Sequence, residues 1–247
     1  MESTLPSVLI TGGSGRLGQE LRGLLPSLLA PTRQELDLTE PHSVRSAVER
    51  ARPALIVHAA AYTDVAGAER EREACWRVNV EGTRHVAAAA AATGARLIHI
   101  STDYVFSGEQ GHYRETDVPG PPVNYYALTK LVAEEAARRA ERVLIVRTSF
   151  RPREFQHPVA FEDVYTSQDY VDVIAPLIAE VIQQADRIPD DILHVATERK
   201  SVYDLARRRK PDVRPGRRAE AKVVLPADVS LNTERWQALR GTWGESA

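Results

Sequence analysis

Residues 7–18 read SVLITGGSGRLG: an aliphatic run, then glycines at 12, 15 and 18, then the first residues of an amphipathic pattern. Ser7–Thr11 carries the unbroken aliphatic run Val8–Ile10, as expected of a strand buried on both faces. Leu17–Leu25 reads as a helix. The glycines between them carry the spacing G-x-x-G-x-x-G. A tight turn needs Gly12, close backbone approach to a pyrophosphate needs Gly15, and helix–strand packing needs Gly18. Free N–H groups at the helix start, at the positive end of its dipole, then suit phosphates. Set between a buried strand and a helix, this turn predicts a dinucleotide cradle. After a weak second strand, Leu28–Ala30, comes Arg33, with no acidic residue before Glu35. An arginine there accepts a ribose 2′-phosphate where a carboxylate would hold the 2′-hydroxyl, so NADP(H) is expected in preference to NAD(H).

Outward from that turn the pattern repeats. Pro41–Arg50 reads as a helix, Leu55–His58 as a third strand, and Glu69–Thr93 as a helical stretch bent near Asn79–Gly82. Arg96–Ile100 is a fourth strand, Tyr126–Arg139 a helix and Val143–Arg147 a fifth strand. Alternating strands and helices predict an α/β fold: a Rossmann-type, doubly wound parallel sheet. Residues 1–150 are expected to form the NAD(P)-binding domain. Residues 151–247 are expected to form a small substrate-binding lobe, partly interleaved with it. There Arg151–Ser167 is loop-like, Val171–Ala185 a helix, Ile192–Val195 a short strand, and Ser201–Arg209 and Thr233–Leu239 small helices. The run Ala87–Ala92 is read as helix–sheet packing.

Composition narrows the function. The 247 residues are 43% apolar and 27% charged, an ordinary globular make-up. With 32 Lys+Arg against 34 Asp+Glu the formal charge is -2, which gives no global case for nucleic acid or an anionic membrane as partner. No run of 18 apolar residues occurs, and Met1–Pro6 has no basic n-region. The lone cysteine, Cys75, excludes an internal disulfide and fits a reducing cytoplasm; in its helical pattern it reads as a small buried hydrophobe. No His/Cys/Asp cluster has metal-ligand spacing.

Tyr126 and Lys130 stand four apart on one helix and therefore face the same way. They follow Ser101-Thr102-Asp103-Tyr104 at the carboxyl end of the fourth strand, where open parallel sheets bind ligands. A phenol of ordinary acidity, near ~10, is a poor donor at neutral pH. An ammonium beside it is expected to lower that value towards the working range.

Taken together, the chain resembles an extended short-chain dehydrogenase/reductase, and within that superfamily the dTDP-4-dehydrorhamnose reductase family. The resemblance rests on VLITGGSGRLGQEL at 8–21, ELDLT at 35–39, HAAAYT at 58–63, VNVEGTRHVA at 78–87, ISTDYVFSG at 100–108, NYYALTK at 124–130, VRTSF at 146–150 and ADVSLNTERW at 227–236. It implies an NAD(P)H-dependent reductase of a 4-keto-6-deoxy sugar nucleotide, in dTDP-rhamnose biosynthesis and in the cytoplasm. Tyr126 would protonate the carbonyl oxygen, Lys130 would hold the nicotinamide ribose, and Thr102 would hydrogen-bond the same oxygen. The turn residues Gly12, Ser14, Gly15, Arg16, Leu17 and Gly18 would meet the pyrophosphate. Arg33, Asp37 and Leu38 would meet the adenosine end, and Ala59, Ala60, Ala61, Tyr62, Thr63 and Ile100 the central part of the cofactor. Asp103, Tyr104 and Phe150 would face the sugar, with Thr102. A homodimer is compatible with this reading.

The chain departs from the family's pattern in three places. Phe150 stands where a Trp is usual, with Arg151-Pro152 continuing differently. The stretch between Phe150 and Tyr170 is short, and His58 replaces a common Asn. His58 reads as a satisfied strand-end histidine. Two other readings stay open: a non-catalytic NADP-binding regulatory protein, as in the non-catalytic subunit of methionine adenosyltransferase, and a sister epimerase. A dehydratase is disfavoured because Tyr104, not an acid, follows Asp103. The seven basic residues of Ala206–Arg218 read as a solvated face. Asp163, Tyr165 and Asp169 are pocket polars or loop caps.

Overall fold

The computed structural model describes residues 7–189, 191–221 and 225–243. The reading of Met1–Pro6 lies outside them. Five parallel strands form the central sheet, β1 (Val8–Thr11), β2 (Leu55–His58), β3 (Arg96–Thr102), β4 (Val143–Thr148) and β9 (Ile192–His194), in that spatial order. The register runs Val8 beside Leu55, Leu55 beside Arg96, Leu97 beside Val143 and Ile145 beside Ile192. The weak second strand, Leu28–Ala30, shrinks to a single bridge between Leu29 and Leu9 on the outer side of β1. Leu29 still exchanges two backbone hydrogen bonds with β1, at 2.8 and 2.9 Å. Its neighbours Pro26 and Pro31 supply no N–H to extend a ladder, so pairing stops there.

The chain leaves β1 on one side and re-enters at β2 on the other, which makes the crevice above β1 and β2 the switch point of the sheet. Helix α1 (Arg16–Leu24) packs Leu17 and Leu21 on the face of β1 that carries Val8 and Ile10. Helix α7 (Val171–Gln183) joins them there through Ile174, Ile178 and Ile182, and α9 (Glu234–Trp243) adds Trp236. Helix α2 (Pro41–Ala51) covers the other face with Val44 and Val48, beside α5 (Gly82–Thr93). Ala87, Ala89 and Ala90 are buried against the sheet. Small side chains let α5 approach closely, which accounts for the alanine run.

The expected bend near Asn79–Gly82 is a five-residue π-helical segment, Arg77–Glu81, between α4 (Arg72–Trp76) and α5. A one-turn helix, α3 (Val65–Ala68), precedes them. Helix α6 (Tyr125–Ala137) begins at Asn124, whose side chain accepts the Ala127 N–H at 2.8 Å.

The expected loop from Arg151 to Ser167 is more ordered than its sequence indicates. It holds β5 (Phe150–Arg151), β6 (Val159–Phe161) and β7 (Tyr165–Thr166), followed by β8 (Asp169–Tyr170). Their partners come from far along the chain: β5 pairs with β8, β7 with β10 (Lys200–Ser201), and β6 with β11 (Arg214–Gly216). Strands of two or three residues carry no readable alternation, so the sequence alone does not reveal them. Helix α8 (Val202–Arg207) closes a separate small core with Phe155, Val164 and Tyr170. The sheet itself takes α7 and β9 from beyond residue 150, so the two parts of the chain are interleaved.

Candidate active site

Each parallel strand ends at the same edge, and the candidate residues collect there. Gly12 follows β1 with φ +77, and a Cβ on it would stand 2.8 Å from the Ala60 Cα. A Cβ on Gly18 would stand 2.2 Å from the Gly12 carbonyl oxygen. The first glycine therefore makes the turn and the last lets α1 pack onto it, while Gly15 caps α1 with no side chain over the free N–H groups. Thr11, Gly12, Gly13 and Ser14 form one wall of a cleft of about 310 Å³; Arg33, Asp37 and Leu38 form the second, and Ala60, Ala61 and Tyr62 the third. Pro31, Leu36, Thr39 and Val78 complete it.

Of the residues expected at the cofactor, Gly15, Arg16, Leu17, Gly18, Ala59, Thr63, Ile100, Tyr126 and Lys130 do not line this cleft. The Leu17 side chain is buried in the α1 core, because it lies on the inward stripe of that helix. Ile100 contributes its carbonyl, which accepts from Lys130. Asp37 spends one carboxylate oxygen on the N–H and hydroxyl of Thr39, at 2.9 and 2.8 Å. Those bonds hold its carboxyl below the usual range.

A residue absent from the sequence reading ties this cleft to α6. Asn79, in the π-helical segment, accepts the Tyr62 N–H at 2.8 Å and donates to the Tyr62 carbonyl at 3.2 Å. It also donates to the Thr129 hydroxyl at 2.9 Å. Thr129 lies on α6 between Tyr126 and Lys130, so one amide fixes the cleft wall against that helix. A kink inside a helical run is the only local signal for it.

Lys130 is buried and donates to the Ile100 carbonyl at 2.8 Å. Burial lowers its pKa to about 8, partly opposed by the Glu134 carboxylate. Tyr126 is 9% exposed and meets the Tyr104 ring edge-on at 6.3 Å. Its pKa is raised, by burial first and then by the charge of Asp103. This corrects the expectation that Lys130 would draw the phenol towards neutrality. The ammonium is held at the Ile100 carbonyl, while desolvation and a nearby carboxylate both penalise the phenolate.

Thr102 donates to the Asp103 carboxylate at 3.0 Å. Burial lifts Asp103 to about 7 against hydrogen bonds from Thr102 and Ser149. Asp103 and Tyr104 open onto a second cavity of about 570 Å³, walled by Arg151, Phe155, Phe161 and Tyr165 among others. Thr102 and Phe150 do not line it, contrary to expectation. In the extended pair β5, neighbouring side chains point to opposite faces. Phe150 packs on the α1/α7 core, and Arg151 takes the cavity side.

His58 behaves as a satisfied strand-end histidine. Thr83 donates its hydroxyl to the Asn79 carbonyl at 2.6 Å, so it accepts from His58 Nε2 at 3.0 Å; His58 Nδ1 then accepts from Thr11 at 2.8 Å. Burial drives His58 down to about 3. Cys75 is buried against Tyr126. Asp163 caps the Arg218 N–H at 2.7 Å, Asp169 pairs with Lys200 and Arg208, and Tyr165 lies in the cavity wall beneath Arg199. In the basic run, Arg208, Arg209 and Arg217 each pair with a carboxylate.

The buried ionisable groups set an acid limit on stability. His58 and His194 fall to about 3 and His99 well below its ordinary value, each by burial first. Between pH 6.5 and 4 the unfolded chain binds those protons and the folded chain does not. Asp103 works in the opposite sense, because the folded chain keeps its proton up to about pH 7. The balance is an uptake of roughly two protons on unfolding, so stability falls as pH drops through that window. Urea unfolding measured from pH 7 to pH 4 checks this, and a midpoint independent of pH contradicts it.

Comparisons with known proteins bear on the family and the fold. A family model described as RmlD substrate binding domain matches residues 6–151. A dTDP-4-dehydrorhamnose reductase of Streptomyces griseus is 43% identical over 151 residues, 59% of this chain and 50% of that protein. The chain thus spans about half the length of the curated relatives it matches. Among solved structures, a hypothetical dTDP-4-dehydrorhamnose reductase of Sulfolobus tokodaii superposes with TM-score 0.82 at 33% identity, over 94% of each chain. The dTDP-4-dehydrorhamnose reductase of Bacillus anthracis in complex with NADP gives TM-score 0.84 at 28% identity, over 95% of this chain and 93% of that one. No helix among the described residues is long and apolar enough to cross a membrane. With the glycine turn, the strand order and the family model falling on the same residues, this chain belongs to the RmlD substrate binding domain family.

Proposed function

We propose that the chain reduces the carbonyl of a 4-keto-6-deoxy sugar nucleotide, using NADPH in preference to NADH, with Thr102, Tyr126 and Lys130 as catalytic residues. The observation that carries this reading is the packing of buried Tyr126 in one cluster with Tyr62, which lines the first cleft, and Tyr104, which lines the larger cavity. The residues suit a dinucleotide. A side chain on Gly12 would collide with Ala60, the start of α1 is uncapped, and Arg33 stands on the cleft wall.

A bound dinucleotide supplies the hydride, and the remaining work belongs to the chain. A carbonyl oxygen placed at Thr102 and Tyr126 meets the Tyr126 O–H, and the Thr102 O–H as well once that hydroxyl turns from the Asp103 carboxylate; both donors stabilise the charge that develops on it. Tyr126 gives its proton to that oxygen, and its raised pKa keeps the proton on the phenol until then. Lys130 uses one of its three N–H donors on Ile100, leaving two for ligand hydroxyls. The closed polar network of Asn79, Tyr62 and Thr129 holds these groups in register. Residues 1–150 act as the nucleotide domain and 151–247 as the substrate lobe in this reading, in the cytoplasm and as a homodimer. Sedimentation at micromolar concentration tests the dimer.

The direct assay is NADPH oxidation with a dTDP-4-keto-6-deoxyhexose. Sustained consumption supports the reading. Tight NADPH binding without consumption of any keto sugar moves the chain to the non-catalytic members of its family. Arg33→Ala is expected to lower the preference for NADPH over NADH by about tenfold or more, through loss of a charge-assisted phosphate contact. The ratio of kcat/KM values for the two cofactors measures it, and an unchanged ratio removes Arg33 from that role.

A further inference from the structure

The larger cavity has an unusual charge arrangement. Arg151 is the one lysine or arginine among the described residues that line it. Its Nε is buried with no hydrogen-bond partner in the protein, and among the described residues no carboxylate lies within the 4.0 Å of an ion pair. The contrast with its neighbours is sharp. Arg147 forms a two-point pair with Glu134, and Arg153 one with Glu20. Burial lowers the pKa of Arg151, and the acidic groups that bear on it are the neutral phenols of Tyr104 and Tyr170 and the Asp103 carboxyl. The Phe155 ring lies 5.5 Å from its guanidinium carbon, so one face of the group is dry. A half-buried cation whose Nε is sealed from water and left without a partner is costly to hold. It is maintained where an anion arrives from outside, and a planar guanidinium matches phosphate oxygens in two-point contact.

The setting constrains that anion. Arg151 shares the cavity with Asp103 and Tyr104, which directly follow Thr102 in the chain, so anion and reacting carbonyl belong to one ligand. The remaining walls are mostly apolar, with Phe161, Val164, Leu225 and Val229, and about 570 Å³ is ample for a ring system beyond the sugar. A simple phosphate sugar would leave those walls uncovered. We propose that Arg151 is the anion receptor of the substrate cavity, holding the diphosphate of a nucleoside-diphosphate sugar while the sugar's carbonyl lies at Thr102 and Tyr126. This rests on the reductase reading and adds the residue that selects the substrate class. The sequence places it beside Phe150, where the chain departs from its family's usual text.

The test is equilibrium titration of dTDP and of thymidine into the NADPH-saturated protein, for the native chain, Arg151→Gln and Arg151→Lys. The native chain is expected to bind dTDP more tightly than thymidine. Arg151→Gln is expected to weaken dTDP binding by about 30- to 100-fold, leave thymidine binding unchanged, and leave NADPH affinity intact. Arg151→Lys is expected to recover part of the loss, since it restores charge without the fork. Retained NADPH affinity shows that each variant is folded. Arg151→Gln binding dTDP within threefold of the native chain overturns the proposal, as does a parallel loss of thymidine. The two readings fail separately. Keto-sugar turnover with dTDP binding indifferent to residue 151 sinks only the receptor. Arginine-dependent dTDP binding without turnover supports the receptor and sinks the reductase.

Discussion

Tyr126→Phe is expected to lower turnover of the keto sugar by about 10²- to 10⁴-fold while NADPH affinity stays within a few-fold of native, the usual weight of a positioned proton donor. The argument is geometric. The residue is 9% exposed, so it is not a general surface tyrosine, and its edge contact with the Tyr104 ring sets it beside the end of β3. Phenylalanine keeps the ring, and with it the edge contact to Tyr104 at 6.3 Å and the packing on Cys75. Only the O–H is lost. An equal loss in KM and in NADPH affinity would instead assign Tyr126 to packing. Steady-state NADPH oxidation together with fluorescence titration of the cofactor separates these outcomes. Undiminished kcat contradicts the assignment outright.

Glu134→Ala is expected to destabilise the fold by about 3–5 kcal/mol, the largest single effect predicted outside the glycine turn. Glu134 follows Tyr126 and Lys130 by eight and four residues, so all three share one face of α6. Its carboxylate takes two hydrogen bonds from Arg147, at 3.0 and 2.8 Å, and one from Ser101 at 2.5 Å. The side chains of both partners are 2–3% exposed. The Arg147 guanidinium also lies 5.0 Å from the Phe106 ring centre. Removing the acid leaves a buried cation with no carboxylate, and the desolvation cost then stands uncompensated. Glu134→Gln keeps the shape and one acceptor and is expected to lose less. Urea unfolding at pH 7 measures both. A loss below about 1 kcal/mol in the alanine variant would mean that Arg147 finds water, and that the pair does not clamp α6 to the sheet.

The sequence made the strand–helix alternation legible because β1 to β4 each carry an aliphatic run without alternation and are four to seven residues long. The glycine turn was legible for a stricter reason, since Gly12 and Gly18 each occupy a place no side chain can share. What stayed hidden depends on contacts between distant residues. Asn79 bridges 17 residues back to Tyr62 and 50 forward to Thr129, and no local pattern encodes that. The β5 to β11 pairings are too short for alternation to show. The face swap at Phe150 and Arg151 follows from the two-residue strand β5, so the aromatic expected at the sugar is core and the arginine beside it faces the cavity. The acidity of Tyr126 went the other way from expectation because spacing gives proximity but not desolvation.

The most direct test is isotopic. The chain is supplied with NADPH deuterated at the transferable position of C4 and with a dTDP-4-keto-6-deoxyhexose, and the sugar product is analysed by mass spectrometry and NMR. The account predicts one deuterium at the former carbonyl carbon for each NADPH consumed, and none with Tyr126→Phe within the time of one native turnover. NADPH that binds and keeps its deuterium in the presence of every keto sugar offered would contradict it.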